Sequence, residues 1–213
     1  MAKKESTLIQ LILSLTGISL LATLALTGVY IATKEPIEKI KIEKNNAAKI
    51  AVLPGFNVET GMLVETKTLP EGLSDSLTVT LAYSENELFG AAVATYTNLA
   101  FSGRFDIIVG FDKEGNILNT AVLEHHETPG LGDKIDKKKG IFSAQFNGKK
   151  PNVKLAVKKD GGEIDAITAA TISSRAFCNA VNNAYQAFQI AINNLNVETL
   201  PATAQTEKEE NHE

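Results

Sequence analysis

From Ser6 to Thr33 the chain carries no charged side chain, and this run limits the possible folds more than any other feature. Leu8 to Ala32 reads LIQLILSLTGISLLATLALTGVYIA, long enough for a helix to cross a hydrocarbon core of about 30 Å. A secretory signal peptide is the rival reading. Its apolar core is usually shorter and precedes a small-residue cleavage site, which Ala22-Thr-Leu and Ala25-Leu-Thr match poorly, so a retained anchor is expected. Lys3 and Lys4 favour a cytoplasmic N-terminus, but Lys34, Lys39, Lys41 and Lys44 on the other flank count against export, and charge alone leaves the orientation open. The expected division is an N-terminal segment 1–6, a transmembrane helix 7–33, a folded domain 34–196 and a polar, acidic, disordered tail 197–213.

The folded portion reads as α+β. Ile37 to Leu53 mixes charges with apolar Ile40, Ile42, Ala47, Ile50 and Val52, and predicts a helix continuing from the membrane until Pro54-Gly55 stops it. Three strands are then expected, over Leu88–Phe101, Phe105–Phe111 and Ile117–Leu123, joined by turns at Ser102-Gly103 and Asp112–Gly115 into an antiparallel meander. Glu124 to Lys134 follows as a loop at the sheet edge, where Gly130 and Gly132 let backbone approach a planar ligand. Lys137 to Gly140 reads as a solvated basic turn, and Phe142 and Phe146 as a short amphipathic segment. Val153 to Val157 reads as a last strand between turns at Asn147-Gly148 and Asp160–Gly162. Phe177, Val181, Ala184, Phe188 and Ile192 recur at three-to-four-residue spacing and mark the buried face of a final helix.

The start of that helix carries the chemistry. Asp165-Ala-Ile-Thr168-Ala169-Ala170-Thr171-Ile172-Ser173-Ser174 places hydroxyl residues in a small-residue turn opening onto the helix. Unpaired amides there, with the partial positive charge of the helix dipole, favour an anion such as phosphate, and Ala169 and Ala170 leave room for it. Taken by themselves, the same residues also describe an ordinary capped helix, with Ser173 and Ser174 as caps.

The pattern Asp-x-x-Thr-x-Ala-Thr-x-Ser-Ser resembles the flavinylation motif of the FMN-binding domain in the G subunit of the Rnf electron-transport complex. A second block, Glu124-His-His-Glu127-Thr128-Pro129-Gly130-Leu131-Gly132-Asp133-Lys134-Ile135, is similar to that family's flavin-contacting loop. The resemblance runs from the N-terminal helix to about Leu195. It implies a single anchor helix followed by an FMN-binding domain with an antiparallel sheet and packed helices. It further implies FMN joined through a phosphoester to Thr171 by a separate flavin transferase. Asp165, Thr168, Ala169, Ala170, Ile172, Ser173, Ser102, Gly103, Lys134 and the loop from Glu127 to Gly132 are the other implied site residues. Glu127 is expected to hold the flavin loop. Ala169 stands where the family usually has Gly, and attachment is expected provided the turn does not require positive φ there.

The implied function is that of a membrane-anchored electron carrier. Its complex would pass electrons between ferredoxin and NAD while moving Na⁺ or H⁺, with the soluble domain outside the cytoplasm and membrane and iron–sulfur subunits as partners. The flavin subunit of a Na⁺-pumping NADH:quinone reductase is the nearest alternative, and a cofactor-free membrane scaffold another.

Other chemistry finds little support. The chain has one cysteine, so it can form no internal disulfide and offers no cysteine cluster for a metal; Cys178 reads as a small apolar residue. His125 and His126 are adjacent, point to opposite faces of an extended chain and match no His-Glu-x-x-His spacing, so no metal is expected. The net charge of −4, with both signs interspersed, argues against a nucleic-acid partner. No catalytic side chain is expected on this chain.

Overall fold

The computed structural model describes residues 7–85, 87–151 and 154–198, with side chains through 195. The segment 1–6, the tail from residue 199 and Val153 at the start of the expected last strand lie outside these residues. The chain divides into two compact units between Asn45 and Asn46.

The first unit is the greater part of a single helix, α1 (Leu8–Ala51), long and apolar enough to cross a membrane. Its apolar side chains from Leu8 to Ile31 are exposed, as expected of a segment whose solvent is lipid. Pro36 lies inside the helix, and Glu35 pairs with Lys39 one turn on at 2.8 Å.

The second unit is built on a five-stranded antiparallel meander in sequence order. The strands are β1 (Met62–Thr68), β2 (Leu77–Ser84), β3 (Glu87–Thr97), β4 (Phe105–Asp112) and β5 (Ile117–Glu124). The three expected strands correspond to β3, β4 and β5, and two further strands precede them. Among the described residues of the expected strand at 153–157, no strand forms. Lys154 to Ala156 are irregular, and only Val157 makes an isolated bridge, to Ile164. Three short 3₁₀ turns, Gly132–Ile135, Phe142–Phe146 and Lys158–Asp160, lie between β5 and the final helix, α2 (Thr171–Glu198). Phe142 and Phe146 are buried, as their spacing suggests.

Side-chain alternation explains why β4 is an apolar run with no polar face. Ile107, Val109 and Phe111 face α2 and join the main core with Phe177, Val181, Ala184 and Phe188. Ile108 points the other way, into a smaller core with Val52, Leu53 and Phe56 from the turn that follows α1. Both faces are therefore covered, which is what a strand without alternation predicts. Gly110 makes the second contact possible: a Cβ there would stand 1.9 Å from the Val52 carbonyl oxygen.

Candidate functional site

The β3–β4 connection, the loop after β5 and the start of α2 meet around a cavity of about 310 Å³. Its wall is formed by Phe101, by Glu127, Thr128, Leu131 and Gly132, and by Ala169, Ala170, Thr171, Ile172 and Ser173. The two sequence blocks, about forty residues apart in the chain, thus converge on one space. A larger cleft of about 580 Å³, with Tyr96, Asn179, Asn183 and Gln186 among its lining residues, contains none of the motif residues.

Turn chemistry builds the loop. The Thr128 carbonyl accepts the Leu131 amide at 3.2 Å, with Pro129 and Gly130 as central residues and Gly130 at φ 77°. This is the arrangement of a type II turn, in which proline presets the first central residue and glycine takes the positive φ of the second. The Asp133 amide also reaches the Thr128 carbonyl, at 3.4 Å, and the Lys134 amide donates to the Leu131 carbonyl, at 3.3 Å, to start the 3₁₀ turn.

Glu127 ties the three segments together. It is only 5 % exposed. One carboxylate oxygen accepts the Ser102 amide at 2.9 Å and the other accepts the Ser173 hydroxyl on α2. A donor on each oxygen meets the requirement that a buried polar group be hydrogen-bonded. The Glu127 amide in turn donates to His125 Nδ1 at 3.3 Å, which engages that histidine with the loop. In the 3₁₀ turn that follows the loop, the buried Asp133 is held below the usual carboxylate range by its hydrogen bond to Lys139 (3.0 Å).

The turn before α2 is fixed by Ser174. Its hydroxyl accepts the Ile167 amide and donates to the Ala170 carbonyl, both at 2.9 Å, closing the loop onto the helix that follows. Ala169 adopts φ 62°, so the turn does require positive φ at the position where the related motif has glycine. The proviso on the motif therefore fails in its stated form, yet the turn still closes with alanine. A left-handed conformation costs an L-residue roughly 1–2 kcal/mol, which a packed domain can absorb. Thr171 is the first residue of α2 and lines the cavity, where the first helical amides have no partner within the helix.

The remaining expected residues stand differently. Ser102 contributes its backbone amide to Glu127, not its side chain to the wall. Gly103 supplies positive φ to the exposed β3–β4 turn, and Pro129 and Gly130 shape the loop from its outer side. Lys134 is exposed and does not line the cavity. Asp165 pairs with Lys158 at 2.8 Å and exchanges two backbone hydrogen bonds with the Gln145 side chain, so it braces the turn from behind. Thr168 is exposed outside the lining. Phe101 is a wall residue that the motifs do not include: it sits at the end of an apolar run but is 67 % exposed. Its position directly before the Ser-Gly turn is the signal that could have found it.

The wall suits a mononucleotide that carries an aromatic ring. Phe101, Leu131 and Ile172 offer an apolar surface, the start of α2 offers amides and a positive dipole end for a phosphate, and Thr171 offers a hydroxyl-bearing side chain in the same wall. The volume falls at the small end of the range for ligand pockets, about 300–1,000 Å³.

Comparison with known proteins places the chain. Residues 101–186 match the FMN-binding domain family. The G subunit of the ion-translocating oxidoreductase complex of Yersinia pestis is 38 % identical over 140 residues, spanning 62 % of this chain and 67 % of that protein. Its namesake from Salmonella typhi is 36 % identical over 161 residues, 71 % and 77 % of the two chains. That of Shewanella amazonensis is 34 % identical over 178 residues, 80 % and 83 %. Similarity of this extent, together with the convergence of both motifs on one cavity, establishes that the chain belongs to the family of ion-translocating oxidoreductase complex G subunits.

Proposed function

We propose that the protein is a membrane-anchored electron carrier that holds FMN covalently, through a phosphoester to Thr171, within an ion-translocating oxidoreductase complex. The observation that carries this reading is the position of Thr171 at the first turn of α2, in the cavity wall with the Glu127 loop. When bound, FMN supplies electron transfer that no side chain of this chain can perform. The first amides of α2 would hold the phosphate, and Ala169 and Ala170 leave it room. Phe101, Leu131 and Ile172 would shield the ring from water, while Glu127 keeps the three cavity-forming segments in register.

A covalent bond suits an anchored carrier. It removes the dissociation equilibrium by which a cofactor displayed outside the cytoplasm would be lost. The anchor keeps the flavin in a thin layer beside its redox partners and raises its effective concentration there. In this reading the domain lies on the extracytoplasmic side of the cytoplasmic membrane and a flavin transferase completes the protein. Membrane and iron–sulfur subunits exchange electrons with it, between ferredoxin and NAD, as Na⁺ or H⁺ is moved.

The test is flavin fluorescence of the protein band after denaturing electrophoresis, with wild type and Thr171→Val each co-expressed with a flavin transferase. A fluorescent wild-type band and a dark variant band are expected. A dark wild-type band under active transferase would bring the cofactor-free scaffold reading forward.

A further inference from the structure

We infer that the Glu127 carboxylate is a fixed negative charge in the cavity wall that lowers the reduction potential of the flavin held there. This rests on the FMN reading above and goes beyond a role in holding the loop. Glu127 lines the cavity and is buried, with both oxygens occupied by donors, the Ser102 amide at 2.9 Å and the Ser173 hydroxyl. Among the described residues no lysine or arginine forms an ion pair with it. Asp133, the other buried acid nearby, is paired with Lys139 and so is compensated. Hydrogen bonds and the positive end of α2 explain how the Glu127 charge is tolerated away from water. They are dipoles, and they leave its net charge in place.

Each electron taken up by a flavin without a proton adds one negative charge to the ring. In a partly dry cavity a fixed carboxylate opposes that charge more strongly than it would in water. The product state is raised in energy, and the potential falls. The effect disappears wherever a proton accompanies the electron, so it belongs to the proton-independent part of the titration. Ser173 and Ser102 act on the flavin through Glu127 and are positioning residues.

The full-length protein, loaded by the transferase in the membrane and solubilised, would be titrated with dithionite and redox mediators while flavin absorbance is followed. Wild type, Glu127→Gln and Glu127→Asp would be compared. Glutamine keeps the size and can still bond Ser102 and Ser173; aspartate keeps the charge at a shorter reach. The expected result is a higher midpoint potential in E127Q and a value close to wild type in E127D, with the largest difference at the most alkaline pH. A loaded E127Q with the wild-type potential, even with a lower melting temperature, would reduce Glu127 to a structural clamp and overturn the inference. Loss of flavin in E127Q would assign the carboxylate to attachment or folding and overturn it as well. A wild-type band without fluorescence would strike the underlying FMN reading instead.

Discussion

Gly132 packs directly against the Glu127 carboxylate: a Cβ at position 132 would stand 2.3 Å from Glu127 Oε2 and 2.7 Å from Ser173 Oγ. The glycine is required for room, since any side chain would pry the acid from its hydroxyl donor. Gly132→Ala should lower stability by about 1–3 kcal/mol, the usual cost of overpacking, and should reduce flavin loading. Urea unfolding of the wild type and the variant measures the first effect, and an unchanged midpoint would contradict the packing argument.

Ala169 holds φ 62° two residues before Thr171. Glycine adopts this conformation without strain but loses more entropy on folding, so Ala169→Gly should stabilise the domain by only about 0.5–1 kcal/mol. Loading at Thr171 should be retained. Denaturant unfolding with parallel in-gel fluorescence checks both, and a destabilised glycine variant would show that the alanine methyl makes contacts that outweigh the strain.

Arg175 on α2 grips Asp160 with two hydrogen bonds, at 2.6 and 2.7 Å, and holds that carboxyl below its ordinary value of 3.8. A depressed folded pKa means that the contribution to stability is present above 3.8 and is lost as the pH falls through the lower folded value. Stability profiles of wild type and Asp160→Asn should therefore converge on the acid side and differ at neutral pH. Parallel profiles through the acid range would contradict the assignment.

Cys178 lies on the same helix, on its core-facing side, and burial pushes its thiol up to about 12. Since the thiolate is the reactive form, iodoacetamide at pH 8 should label the native protein roughly 100-fold or more slowly than the unfolded chain. Fast labelling without denaturant would mean that α2 opens from the sheet.

The readable parts of the sequence were those in which one physical signal acted alone. The absence of charge from Ser6 to Thr33 marked the span that α1 contains, and the spacing of Phe177, Val181, Ala184 and Phe188 marked the face of α2 that meets the sheet. The two motif blocks named most of the cavity wall. Two strands went unread for different reasons. Leu77, Val79 and Leu81 alternate with threonines and carry a strand signal, whereas β1 is a largely exposed edge containing Glu65 and Lys67. Val153 to Val157 has strand composition, yet the buried Asn182 side chain takes both backbone groups of Leu155, each at 2.9 Å, and competes with any ladder. Spacing could not reveal that Asp165 faces Lys158, or that Ser102 serves the site through its amide, because those relations arise only when distant segments meet.

Covalent attachment of FMN at Thr171 is decided by peptide mass spectrometry of the protein produced with an active flavin transferase. Cleavage after Lys159 and Arg175 releases a peptide from Asp160 to Arg175 that contains Thr168, Thr171, Ser173 and Ser174. This peptide is expected to carry the mass of FMN less one water, with fragment ions placing it on Thr171. An unmodified peptide, or the added mass on Thr168 or either serine, would contradict it.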